Sequence, residues 1–250
     1  SLHYYTVPGG WPPRASSTDF DEAAWIETLS RTLVMDELIT KHSAIMDRYD
    51  PAKRVSLIVD EWGTWYDVEK GTNPGFLYQQ NTQRDAMVAA INLNIFHRHG
   101  ARVRMANIAQ MVNVLQSMIL TDGARMLTTP TYHVFDLYTD HQDAEYIPTA
   151  AGALGAESEL TVSRKDGAFT ISAANTSLTD GLDAAFELPG RVGEVLRAQV
   201  LASDTPDAHN TFDAPEAVAL RDLDVQVDGA QVRFTLPPHA VATVRVANAG

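Results

Sequence analysis

Apolar and polar positions follow two different rhythms along this 250-residue chain, and the change comes near residue 145. Before it, strand-like runs alternate with helical ones. Leu2 to Tyr5 form a short apolar and aromatic run that ends in the turn-rich Pro8-Gly9-Gly10-Trp11-Pro12-Pro13. From Asp19 or Asp21 to about Arg48, the residues Trp25, Ile26, Leu29, Leu33, Leu38, Ile39 and Ile45 recur at helical spacing. That spacing predicts one long amphipathic helix, with Ser17, Thr18 and Asp19 on offer as N-caps. Val55-Ser56-Leu57-Ile58-Val59-Asp60-Glu61 is nearly continuous in apolar residues, which suits a parallel strand covered on both faces. Gly71 to Gly75 reads as loop. A second helix is expected from about Thr82 to His99 and a third strand from Val103 to Ile108. A helical stretch from Gln110 to Leu120 breaks at Thr121-Asp122-Gly123, and one more helical segment runs from Tyr132 to Leu137.

Alternating β and α units predict a parallel sheet, doubly wound or closed into a barrel, and both place active residues at the carboxyl ends of the strands. After residue 145 the segments Leu160 to Ser163, Ala168 to Ser172, Val195 to Leu201, Val225 to Val227, Val232 to Leu236 and Ala242 to Val246 alternate apolar with polar. Lys165-Asp166-Gly167 and Asp228-Gly229 are hairpin turns between such runs. The second part is therefore expected to be an antiparallel β-sandwich. The division is α/β over residues 1–145 and all-β over 146–250, with no internal repeat.

Charge and composition narrow the function. The net charge is −13, and 19 scattered basic residues face 32 acidic ones, which excludes the clustered cations of a nucleic-acid surface. No cysteine is present, so no disulfide, thiolate metal site or cysteine nucleophile exists. No apolar stretch approaches the roughly 18 residues of a membrane helix, and no basic-then-apolar leader directs export. A cytoplasmic protein without membrane partners is expected. The chain opens on Ser1-Leu2-His3-Tyr4-Tyr5, as though entered within a strand, which suggests part of a longer polypeptide.

The sharpest candidate chemistry lies in Asp60-Glu61-Trp62-Gly63-Thr64-Trp65-Tyr66. Two carboxylates at the end of a buried strand, followed at once by aromatics, suit a sugar: flat rings receive its C–H faces and carboxylates bind its hydroxyls. The plain alternative is a strand capped by two surface carboxylates, with the Trp residues in the core. His3-Tyr4-Tyr5 ends the first strand with hydrogen-bond donors, and Asn107 to Asn113, including Gln110, brings neutral amides to the third. A histidine on an apolar strand is more often a satisfied core residue, and strand-end amides often cap helices. Convergence on one face is what favours a site.

These segments, with Arg102 to Val114, resemble glycoside hydrolase family 51, most members of which are α-L-arabinofuranosidases. The resemblance is dense over residues 1 to about 145 and looser afterwards, mainly at Leu236 to Val244. It implies the C-terminal part of a (β/α)8 TIM barrel, entered at about the sixth strand, followed by a β-sandwich. It implies that Glu61 is the catalytic nucleophile on the seventh strand. Tyr4 matches a tyrosine that hydrogen-bonds the nucleophile, with His3 beside it. Trp65 matches an aromatic lining the sugar site, and Gln110 a glutamine that contacts arabinose. The family's acid/base glutamate follows an asparagine, and no Asn-Glu dipeptide occurs here. That residue is expected on a missing N-terminal half. The implied substrates are arabinose-containing oligosaccharides or polysaccharides, with no cofactor and a homo-oligomeric assembly. The runners-up are another retaining barrel glycosidase acting on glucans or xylans, or a non-catalytic carbohydrate-binding protein if the chain is complete.

Weaker signals remain. His97, His99, His133, Asp136, His141 and Asp143 match no metal-ligand spacing, so no metal site is expected, and surface or capping roles fit them better. Asn175-Thr176-Ser177 is a chance sequon. Gly71 to Gln80 is expected to overhang the sugar site, with Phe76, Leu77 and Tyr78 shaping a subsite or a subunit contact.

Overall fold

Three parallel strands, β1 (Leu2–Thr6), β2 (Leu57–Thr64) and β3 (Val103–Ile108), lie side by side in that order in the computed structural model, which describes residues 1–149, 154–155 and 158–249. They form an open sheet and not a closed barrel. Helices α1 (Glu22–Thr32), α2 (Val34–Tyr49), α3 (Gln83–Arg98) and α4 (Pro130–Tyr138) accompany it. One core joins sheet and helices, with Trp25, Met35, Ile39, Val59, Trp62 and Ile91 buried in it. The other face of the sheet leaves His3, Met105 and Asn107 exposed.

The expected single helix from Asp19 or Asp21 to Arg48 is two. Thr28 and Thr32 hydroxyls donate back to the carbonyls of Ala24 (2.6 Å) and Thr28 (2.9 Å), a bonding pattern that bends helices, and the ladder slips at Leu33. The N-cap is Asp21, whose carboxylate accepts from the Ala24 N–H. The expected helix from Gln110 to Leu120 is absent. Gln110, Asn113 and Leu115 take positive φ values of 73°, 61° and 53°, which no right-handed helix accommodates. The Asn113 side chain instead accepts from the Thr121 N–H and donates to its hydroxyl, both at 2.7 Å, and the chain folds into the hairpin β4 (Ile119–Asp122) and β5 (Arg125–Thr128). Tertiary hydrogen bonds override the apolar spacing here.

The second part is a pair of antiparallel sheets. Six strands run in the order β11 (Leu220–Asp222), β10 (Val192–Leu201), β14 (Val241–Asn248), β8 (Ala168–Asn175), β7 (Ser158–Lys165), β6 (Glu145–Ile147). The smaller sheet is β12 (Gln226–Asp228), β13 (Gln231–Leu236), β9 (Leu182–Glu187). Phe169, Ile171, Val244, Val232 and Phe234 fill the space between them. Both hairpin turns read from the sequence join paired strands. Asn175 is buried, with its amide donating to the carbonyls of Asp180 (2.8 Å) and Pro237 (2.9 Å), so the sequon is structural.

The polar face of the large sheet does not meet solvent. Thr161, Ser163, Thr170, Ser172 and Thr243 are all buried where the sheet packs on the helices. His141 sits among them, bonded to the Ser163 hydroxyl at 2.7 Å and the Ser172 hydroxyl at 2.8 Å, while His97 reaches Thr161 at 3.3 Å. The two imidazoles stand 4.9 Å apart. Neither is the surface residue that the sequence suggested. His99 does cap α3, and its ring meets Asp36 at 2.8 Å.

Burial holds His97 down at about 4, and burial followed by its histidine neighbour holds His141 well below the ordinary range. Both stay neutral in the fold but protonate in the unfolded chain near 6.5, so the unfolded state gains protons first as pH falls. Stability is thus full above that value and is lost between about 6.5 and 4. At pH 5 the loss is about 2 kcal/mol from His97 alone. Denaturant unfolding at pH 7.5 and pH 5 measures it, and His97→Gln should flatten the difference by about that amount. An unchanged pH slope in the variant would contradict the assignment.

Candidate active site

Strict alternation would bury Glu61, because it shares the parity of Leu57 and Val59, both turned into the core. A β-bulge prevents this. Leu2 pairs with Val59 but His3 pairs with Glu61, leaving Asp60 as an extra residue, and the same slip appears against β3 between Val59 and Trp62. The phase change sends Trp62 into the core, against Phe96 and Phe135, and turns Glu61 to the other face. The strand continues to Thr64, so the two carboxylates sit within β2 and not at its last residue.

On that face Glu61 meets His3 and Tyr5. The Tyr5 hydroxyl donates to Glu61 Oε2 at 2.9 Å, and His3 Nδ1 lies 3.7 Å from the same oxygen. His3 Nε2 is 3.8 Å from Asp60 Oδ2. Burial, then the bond to Glu61 and its negative charge, raises the Tyr5 hydroxyl well above the ordinary tyrosine value. Tyr5 therefore keeps its proton and acts as a donor. The expectation for Tyr4 is corrected here: its hydroxyl donates to the Arg31 carbonyl on α1 at 2.6 Å. Parity is the cause, since Leu2, Tyr4 and Thr6 face the helices while His3 and Tyr5 face the open side.

Trp65 stacks edge-to-face on Tyr5 at 5.1 Å between ring centroids, and Trp11 stacks on Trp65 at the same distance. The loops carrying these rings are pinned together. Trp65 N–H bonds the Thr6 carbonyl and Asp67 N–H the Ala15 carbonyl, each at 3.0 Å. Ser17 donates to Glu69. Arg84 is fully buried between the rings of Phe20 (3.7 Å) and Tyr66 (4.3 Å), and its Nη2 donates to the Ser16 carbonyl.

The end of β2 is fixed from below. Gln116 Oε1 accepts from Thr64 N–H at 2.8 Å, and its amide nitrogen donates to the Asp85 carbonyl at 2.7 Å. Gly63, at φ +143°, makes room: a Cβ there would lie 3.2 Å from Gln116 Cβ. The Thr64 hydroxyl donates to Asp85 at 2.5 Å, and Asp85 also closes a capping box with Thr82 at the start of α3. Burial raises the Asp85 carboxyl in spite of these donors.

Of the residues expected in a site, His3, Glu61 and Trp65 come together. Among the described residues no hydrogen bond or ring contact ties Gln110 to them. It is exposed beyond the end of β3 and lines a cleft of about 650 Å³ with Phe76, Leu77, Tyr78, Asn113 and Phe212. Asp60 and Tyr5, which the sequence offers as a strand-end carboxylate and a strand-end donor, also belong to this cluster, and Trp11, which the sequence marks only as part of a turn, joins it. Among the described residues no group of three or more His, Asp or Glu side chains has metal-binding geometry, and no helix is long and apolar enough to cross a membrane.

Comparison with known proteins bears on this arrangement. The model of the α-L-arabinofuranosidase C-terminal domain matches residues 60–240, a span that begins at the bulged carboxylate pair and covers most of the chain. The chain belongs to the α-L-arabinofuranosidases of glycoside hydrolase family 51. A family 51 arabinofuranosidase structure from Xanthomonas axonopodis pv. citri superposes with a TM-score of 0.92 at 52% identity, over 98% of this chain and 52% of that one. An intracellular exo-α-L-arabinofuranosidase of Bacteroides ovatus is 37% identical over 98% of this chain and 50% of its own length. An intracellular exo-α-(1→5)-L-arabinofuranosidase of Streptomyces lividans is 27% identical over 93% of this chain and 36% of its own. This family 51 chain thus spans about half the length of the first two relatives and about a third of the last.

Proposed function

We propose that the complete enzyme is a retaining glycoside hydrolase that removes α-L-arabinofuranosyl residues from arabinan, arabinoxylan or their oligosaccharides. Glu61 is its nucleophile in this reading. The observation that carries it is the turning of Glu61, by one extra residue in β2, onto the face where Tyr5 donates to it and Trp65 stands beside it. Ionised Glu61 attacks the anomeric carbon, and the glycosidic C–O bond breaks as the ester to Glu61 forms. Water later cleaves that ester with a second inversion, so configuration is retained. The Tyr5 hydroxyl steers one carboxylate oxygen and leaves the other to attack.

The partner acid must stand about 5–5.5 Å from Glu61 to protonate the leaving oxygen. It belongs, in this reading, to an N-terminal half that supplies the rest of a (β/α)8 barrel. A parallel sheet is ordinarily covered on both faces, and this one bares His3, Met105 and Asn107 and leaves β1 and β3 as edges, which supports such a cover. The domain boundary falls near residue 145, where β6 enters the large sheet. His3 and Trp65 line the sugar site, and Gln110 reaches arabinose from the β3 side. Location in the cytoplasm and a homo-oligomeric state complete the proposal, the first supported by relatives named intracellular.

A panel of nitrophenyl glycosides with the complete enzyme tests the substrate class. α-L-Arabinofuranoside should be cleaved at least about a hundredfold faster than the xyloside or glucoside, with proton NMR detecting first the retained anomer. Preference for a pyranoside, or an inverted first product, would overturn it.

A further inference from the structure

We propose that Trp11 is a specificity residue that receives the sugar next to the scissile bond, on the leaving-group side. The inference rests on the arabinofuranosidase reading and concerns the substrate beyond the arabinose itself.

An aromatic ladder leads outward from Glu61. Tyr5 touches the carboxylate, Trp65 stacks on Tyr5, and Trp11 stacks on Trp65, with 5.1 Å between centroids at each ring-to-ring step. Each step is on the scale of one sugar ring. Trp65 stands beside the reacting ring, so the next rung lies where the next ring must go. Burial grades along the same line. Tyr5 and Trp65 are half-buried, whereas Trp11 is 71% exposed, the most open tryptophan of the four. The apolar face of that indole suits the C–H face of a sugar.

Trp11 is also held in place before any ligand arrives. Gly10 N–H bonds the Val7 carbonyl at 3.2 Å, and Gly9 N–H donates to Glu27 at 3.1 Å. Farther along, Ala15 and Ser16 are tied to Asp67 and Arg84. A platform on a pinned loop pays little ordering entropy on binding. Stacking on a remote ring holds a long substrate equally in the ground and transition states, so its loss should raise KM for long substrates more than for short ones.

The test compares kcat/KM for an arabinofuranosyl oligosaccharide and for methyl α-L-arabinofuranoside, whose leaving group is too small to reach Trp11, in the complete enzyme. In Trp11→Ala the ratio of the two should fall about tenfold or more, with most of the change in KM, and Trp11→Phe should restore much of it. A ratio within twofold of wild type, whether both rates fall together or neither does, overturns the inference. So does a ratio that Trp11→Phe leaves as low as Trp11→Ala. Wild-type enzyme inert on both arabinofuranosides would instead sink the function itself, and this inference with it.

Discussion

Glu61→Ala in the complete enzyme is expected to lower kcat by about 10⁴-fold or more while the protein keeps its fold. The loss is large because, in this reading, the glycosyl ester forms on this carboxylate. Asp60 is displaced to His3 by the bulge, and its side chain is a carbon shorter. Retention of the fold follows from the position of Glu61, whose bonds are to Tyr5 and His3 on the open face and not to the core. Azide should restore part of the rate with a substrate whose leaving group departs without help, because the truncated side chain leaves room for a small anion on the nucleophile's side. The product should then be the β-configured glycosyl azide, one inversion instead of two. Near-normal turnover without azide would remove Glu61 from the mechanism.

The two adjacent tyrosines should separate sharply. Tyr5→Phe removes a hydrogen bond to a charged group, worth about 1.5–3 kcal/mol, and kcat/KM should fall roughly tenfold to a hundredfold. Tyr4→Phe removes a bond to the Arg31 carbonyl and should cost about 1 kcal/mol of stability or less, with kcat/KM within about twofold of wild type. Steady-state kinetics with unfolding measurements on both variants decide the matter. Greater damage to catalysis from Tyr4→Phe would mean that the tyrosine facing Glu61 has been assigned to the wrong side of the strand.

Much of this architecture was legible in the chain. The change from helical to alternating spacing separates the sheet-and-helix elements from the antiparallel strands, because a side chain's period follows from the backbone it hangs on. The runs at Leu2, Leu57 and Val103 became the three parallel strands, and Thr82 to His99 became α3 with those two residues as its caps. Glu61 stood out because two carboxylates close an apolar strand run and aromatics follow at once, a combination suited to a sugar. Alternation in β7, β8 and β14 was equally plain, but it could not tell a solvated polar face from one buried under helices. The His141 bonds to Ser163 and Ser172 are what make the buried version affordable.

By itself the sequence determined much of what is local: the period of most elements, the hairpin turns and the residues that carry charge. The tertiary structure alone decided phase. One extra residue at Asp60, defined only by pairing with strands more than forty positions away, reverses which side of β2 faces the helices. That reversal makes Tyr5 the partner of Glu61 and puts Trp62 in the core, while Tyr4 stays against α1 by the parity of its own strand. Between Gln110 and Leu120, likewise, apolar spacing favoured a helix, but Asn113 and Gln116 found better partners in Thr121, Thr64 and Asp85 than a helix could offer. Register and long-range hydrogen bonds are properties of pairs of segments, and neither segment carries them alone.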